Sequence, residues 1–191
     1  MCSGGLVGLL MIGGKMYLSH TCYKRRAIEI EALANEQGWQ YRPGFTILLS
    51  GSLPNGETWQ IRPTFGEDYR YLWQAPVKTS EEGVWVTAHR AGMFMTLFSG
   101  PTRYKDVGPP ELQRQYFLAA TDKELLHRVL TPDILNLLLN WPRRRWRTER
   151  SLKISLGHDR LRISTEIDDS ADHLARLVDL GTTLINAYGQ A

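Results

Sequence analysis

Three features of the 191-residue chain predict a two-layer α+β fold, a mainly antiparallel sheet with helices packed on one face. Two pairs of β-prone runs are joined by tight turns, GSLPNG between residues 50 and 57 and Gly157-His158, and such turns pair strands antiparallel. Helical and strand runs do not alternate strictly, as a parallel doubly wound sheet requires. The C-terminal helix carries a single apolar stripe, so it should lie across a sheet with its other side in water.

Residues 24–37 (KRRAIEIEALANEQ) are rich in helix formers, with Ile30, Leu33, Ala34 and Gln37 at helical spacing, and Gly38 stands where a glycine stops a helix. Phe45–Ser50 and Glu57–Arg62 form the first hairpin, turning at Pro54, Asn55 and Gly56. Tyr69, Tyr71 and Trp73 alternate with Arg70 and Leu72, and Val84, Trp85 and Val86 follow, which predicts two more strands with an aromatic face that Trp59 shares. Met93–Phe98 is uniformly apolar and short and is read as a strand, followed by the longest loop, SGPTRYKDVGPPE.

Gln115–Ala120 reads as a strand. Thr121 and Glu124 have capping-box spacing ahead of Leu125, Leu126, Val129 and Leu130. Thr131 and Pro132 are the N-cap and first residue of a second short helix, through Ile134, Leu135, Leu138 and Leu139 to Trp141 and Pro142. Residues 149–156 and 159–165 form the second hairpin, in which Leu161 and Ile163 alternate with Arg160, Arg162 and Ser164 to give one buried and one solvated face. Asp168, Asp169 and Ser170 open the last helix, whose stripe is Leu174, Leu177, Val178, Gly181, Leu184, Ile185 and Tyr188.

A chain of this length buries a core without disulfides or metal, so residues 24–191 are read as one domain. With 42% hydrophobic and 23% charged residues, the composition is globular and excludes general disorder. The net charge of +3 is too small to mark a dedicated nucleic-acid binder. Cys2 and Cys22 both precede the first helix and cannot staple the core, which fits a reducing compartment. There is no internal repeat.

Residues 1–23 are read as either a membrane anchor or a flexible N-terminus. The run GGLVGLLMIGGKMYL has an apolar centre at Leu6–Ile12, but glycines and Lys15 interrupt it, and it is short of the roughly 20 residues a spanning helix needs. If it inserts, Lys24, Arg25 and Arg26 keep the domain on the cytoplasmic side. The expected location is therefore the cytoplasm, or the inner membrane with the domain facing the cytoplasm.

Nothing in the sequence marks a catalytic or metal centre. His20 and Cys22 are two apart, a spacing that suits no nucleophile–base pair. His89, His127, His158 and His173 stand singly, without the spacing that puts two imidazoles on one metal, and Asp169 with His173 is explained by the helix dipole. The glycines of SGG, GLVG and IGGK lack the strand and helix that a phosphate loop needs. No cofactor is expected. An enzyme would have to assemble its site from scattered residues such as Tyr69, His89 and Arg90.

The densest charge is Arg143, Arg144, Arg145, Arg147, Arg150 and Lys153, interrupted by Trp146. Guanidinium forks grip phosphate and tryptophan sits at membrane interfaces or stacks on bases, so Arg143, Arg144, Arg145, Trp146, Arg147 and Arg150 form the candidate partner-binding site. A purely structural role is open too, because cations after a helix satisfy its last carbonyls.

TPDILNLLLNWP and LKISLGHDRLRISTEIDDSADHLARLVDLGTTLINA resemble the tail of a group of bacterial proteins in which a short N-terminal anchor precedes a helix of the REIEALANEQGWQY type and an α+β domain. The resemblance implies no activity and no site residue. The function expected from all this is a non-enzymatic bacterial domain binding a protein or anionic lipid, with a nucleic-acid binder using the Arg143–Arg147 patch, or an enzyme without a recognisable motif, as rivals.

Overall fold

The alternation seen in the second hairpin runs through a whole sheet. The structure, a computed structural model, describes residues 24–43, 48–64, 70–77, 83–88, 102–142, 152–157, 159–166 and 170–189. Its first helix, α1, spans 24–36 and is followed by Gly38, whose φ of 68° is the left-handed conformation a stopping glycine adopts. The strands are β1 (Gln40–Arg42), β2 (Leu48–Ser52), β3 (Thr58–Thr64), β4 (Arg70–Pro76), β5 (Val84–Ala88), β6 (Thr102–Arg103), β7 (Tyr116–Ala120), β8 (Leu152–Leu156) and β9 (Arg160–Thr165). The remaining helices are α2 (Pro110–Gln115), α3 (Lys123–Val129), α4 (Pro132–Leu139) and α5 (Ala171–Gly189).

All described strands join one open antiparallel sheet in the order β1-β2-β3-β4-β9-β8-β5-β7-β6. The expected α+β class is thus the observed one. The C-terminal hairpin β8–β9 inserts between β4 and β5, so the strand that closes the sheet in sequence lies at its middle in space. β2 and β3 pair through the expected turn, where Gly56 has a φ of 83° and the Asn55 side chain accepts a hydrogen bond from the Glu57 amide at 3.0 Å.

Because side chains alternate along each strand, register assigns every residue to a face. Pairing places Tyr41, Leu49, Ile61, Trp73, Ile163, Ile154, Val86 and Leu118 in one cross-strand row from β1 to β7. Trp59, Tyr71, Leu161, Leu156, Val84 and Tyr116 share that face at neighbouring positions. All but the half-buried Tyr41 are fully buried, in one cluster with residues from all five described helices: Ile30, Leu112, Leu126, Ile134 and Leu177 among them. One layer of helices therefore covers one side of the sheet.

Trp59 and Trp73 stack at 6.5 Å, and Trp39 meets Trp59 edge-on at 5.2 Å, an aromatic line worth about 0.5–1.5 kcal/mol per pair beyond its area. Gly181 of α5 lies so close that a Cβ there would overlap the Trp73 indole, which is how a long helix crosses a strand carrying tryptophan. The buried Tyr116 hydroxyl donates to the Leu138 carbonyl at 2.9 Å and ties β7 to α4.

Local structure departs from the sequence expectation at three places, the first being β1, a strand not expected between the first helix and the first hairpin. The end of the long loop folds as α2, started by Pro110 and fixed by the fully buried Leu112, and the loop also contributes the edge strand β6. At α3 the N-cap is Asp122, whose carboxylate accepts from the Glu124 amide at 3.2 Å, rather than Thr121. The negative side chain also complements the helix dipole. The Thr131 cap is as expected, accepting from the Ile134 amide at 3.4 Å. The expected strand Met93–Phe98, and residues 1–23 as an anchor or flexible segment, lie outside the described residues. Among the described residues no helix is long and apolar enough to cross a membrane.

Candidate anion-binding face

The sheet's second face carries the other half of each alternation. Two cross-strand rows can be followed through the pairing. One runs Gln40, Ser50, Gln60, Gln74, Arg162, Ser155, Trp85, Ala119 and Arg103 from β1 to β6. The next runs Arg62, Leu72, Ser164, Lys153, Thr87 and Phe117 from β3 to β7. Arg42, paired with Leu48, and Arg160, paired with Pro76, belong to the same face.

Arg42, Arg62, Arg103, Lys153, Arg160 and Arg162 stand on this face, and among its described strand positions there is no Asp or Glu. All six are exposed except the half-buried Arg160. None is ion-paired with a described residue; the pairs Arg25–Glu29 and Lys123–Asp106 lie elsewhere. Arg103 has a local task, sitting 4.8 Å from the centroid of the Phe117 ring. Lys153 and Arg162 are diagonal neighbours on β8 and β9, about 7 Å apart at the backbone, and Arg62 lies one strand beyond β4. Like charges held this close raise the local positive potential and attract anions.

Gln74 sits at the centre of this set, between the exposed Gln60 and Arg162, and is only 4% exposed. Its Oε1 is buried and has no hydrogen-bond partner among the described residues. A buried amide oxygen left without a donor costs about 1–3 kcal/mol.

Among the described residues, the helix side offers no comparable cluster of charge. Between β5, β8, β9 and helices α3 to α5, a cavity of about 10 Å³ lined by apolar residues such as Val86, Ile134, Ile154 and Leu184 is at the threshold for a single water. Among the described residues there is no cluster of three or more His, Cys, Asp or Glu that could hold a metal.

Of the residues singled out in the sequence, Arg143, Arg144, Arg145, Trp146, Arg147 and Arg150 lie outside the described residues, as do His20, Cys22, Tyr69, His89, Arg90, His158 and Asp169. Lys153, the last cation of the arginine-rich run, is described, and it stands on the second face. His127 is exposed on α3 and His173 half-buried on α5. The β9 alternation marks Arg160 and Arg162 as solvated in the sequence but does not link them to Arg62 or Arg42. Only strand order brings those four together.

No family model matches the chain, and no curated protein matches it in sequence. In structure it is similar to the crystal structure of the mycobacterial trehalose monomycolate transport factor A, TtfA, with a TM-score of 0.51 over 85% of this chain and 93% of that one, at 9% sequence identity. At that identity the likeness shows the fold alone.

Proposed function

We propose that this is a non-enzymatic domain that binds an anionic lipid surface through the second face of its sheet. The observation that carries the reading is the acid-free set of Arg42, Arg62, Lys153, Arg160 and Arg162 on the described strands of that face. Each Lys or Arg brought to an anionic leaflet contributes about 1 kcal/mol, so several presented together give reversible adhesion without a pocket. A stable protein interface instead wants aromatic or aliphatic anchors, and the exposed side chains of this face between β3 and β8 include Gln60, Arg62, Arg162 and Lys153. A single-strand nucleic-acid platform wants stacking aromatics. Trp59, Tyr71 and Trp73 are instead turned into the core, and Trp85 on this face is half-buried against Gly83.

The arginines from Arg143 to Arg150 extend the same chemistry just ahead of Lys153, and an inserted N-terminal run would hold the domain at the cytoplasmic side of the membrane. The structural neighbour is named a transport factor, which is in keeping with a non-enzymatic role.

The test is co-sedimentation of the full chain with anionic and with zwitterionic vesicles at low salt, against a variant carrying Arg62→Gln, Lys153→Gln and Arg162→Gln. The wild type is expected in the anionic pellet only, with the triple variant left in the supernatant. Equal sedimentation of both proteins removes the reading. A salt-sensitive shift of nucleic acid without vesicle binding replaces it with the rival.

A further inference from the structure

Resting on that reading, we infer that Lys153, Ser155, Arg162 and Ser164 form a phosphoryl subsite on this face, selective for a lipid that ends in a phosphomonoester. Register sets the four together: Lys153 is paired with Ser164, and Ser155 with Arg162, across the β8–β9 hairpin. All four belong to the second face, so two cations occupy one diagonal of the quartet and two hydroxyls the other. Directly paired positions are about 5 Å apart and diagonal ones about 7 Å, within reach of one phosphate held between long side chains.

The quartet is open to water, with Lys153 and Arg162 exposed and Ser155 and Ser164 half-buried. The buried Leu72 and Gln74 on β4 and Thr87 on β5 border it and take no part in it. None of its four side chains has a hydrogen-bond or ion-pair partner among the described residues. The next acid along the chain, Glu166, has both carboxylate oxygens buried and is paired with neither cation.

The donors select the ligand. A guanidinium fork takes two oxygens of one phosphate, an ammonium takes a third, and the hydroxyls donate to lone pairs that remain. A phosphodiester offers two free oxygens and one charge. A phosphomonoester offers three oxygens and a charge of about −1.5 to −2 at pH 7, which answers both cations at once. Arg42, Arg62 and Arg160 lie on the same face outside the quartet and engage only a ligand that is part of an extended anionic surface. The phosphate is therefore carried by a membrane lipid of the phosphatidate class.

The experiment measures binding of the full chain at pH 8 to vesicles of phosphatidate and of phosphatidylglycerol, each mixed with the same zwitterionic lipid to equal zeta potential. Equal surface charge leaves headgroup chemistry as the difference. Wild type is expected to bind the phosphatidate vesicles about three- to tenfold more tightly, the factor one additional hydrogen bond supplies. A variant carrying Ser155→Ala and Ser164→Ala keeps every cation, and it is expected to lose the preference while binding phosphatidylglycerol as wild type does.

Phosphatidate bound by wild type no more tightly than phosphatidylglycerol overturns the subsite and leaves the electrostatic reading standing, whereas absence of binding to either removes both. A preference that survives in the double variant overturns the assignment to this quartet. The wild-type comparison decides the matter even where the variant does not fold. Soluble glycerophosphate is expected not to displace the protein, and displacement at micromolar concentration overturns the assignment to lipid.

Discussion

The same strands build both faces of the sheet, and the two faces follow different rules. On β9, Leu161, Ile163 and Thr165 are fully buried under the helices, while Arg160, Arg162 and Ser164, one residue away from each, belong to the other side. On β3, Trp59 and Ile61 are buried and Gln60 and Arg62 exposed. The helix-covered face is specified by shape, so each side chain is fixed by its neighbours. The exposed positions of the second face are polar or charged, so their side chains are individually dispensable to the fold. The division is not complete: Leu72 and Gln74 of β4, Thr87 of β5, and Phe117 and Ala119 of β7 are buried on the second face as well.

Substitutions separate the two rules, beginning with the largest effect. Trp73→Ala on the helix-covered face should lower unfolding free energy by about 3–5 kcal/mol in a denaturant titration, since it empties the contact between β4 and α5. A loss below about 1 kcal/mol there would contradict the packing described. Gly181→Ala should cost about 1–3 kcal/mol by overpacking the same contact, although alanine is otherwise the better helix former; a stabilised variant would show that α5 crosses elsewhere. Asp122→Ala should cost about 0.5–2 kcal/mol, and Thr121→Ala less, reversing the order expected from the sequence.

On the second face, Arg162→Gln should change stability by no more than about 0.5 kcal/mol while weakening adhesion to anionic vesicles. A destabilised Arg162→Gln would assign the arginine to the fold instead.

The smallest effect concerns Asp106 near β6. The hydrogen bond from the Lys123 ammonium holds its carboxyl below the ordinary value of 3.8, and Asp106 in turn raises Lys123. A carboxylate with a lowered folded pKa favours the fold fully above 3.8 and loses that contribution as pH falls through its folded value. Both groups are exposed, so the contribution is slight. Lys123→Met should return Asp106 toward 3.8 in an NMR titration, and an unmoved titration would show the pair is not formed in solution.

The helices are the most legible elements in the sequence. The α5 stripe from Leu174 to Ile185 is buried as its spacing requires, and Leu180, outside that stripe, is buried too because α5 packs against α3 and α4 as well as the sheet. The hairpins are legible from their turns. α2 is not, because PPELQRQ has one apolar side chain besides its prolines, and it is held by the burial of Leu112 and the bond from the Gln113 side chain to the Val107 carbonyl. The candidate binding face is legible in fragments: the Arg160–Arg162 alternation announces a solvated side, but the densest charge draws attention to Arg143–Arg147 instead.

What the sequence determined by itself is the local part: where helices begin and stop, which residues turn, and which side of each strand is apolar. These depend on neighbours within a few positions, and Gly38, Gly56, Thr131 and the β9 alternation each carry their own instruction. Strand order was decided only by the tertiary structure, because it depends on how apolar faces from distant segments fill one common core. The insertion of β8–β9 between β4 and β5 sets Arg162 beside Gln74 and within reach of Arg62, a hundred residues away in the chain.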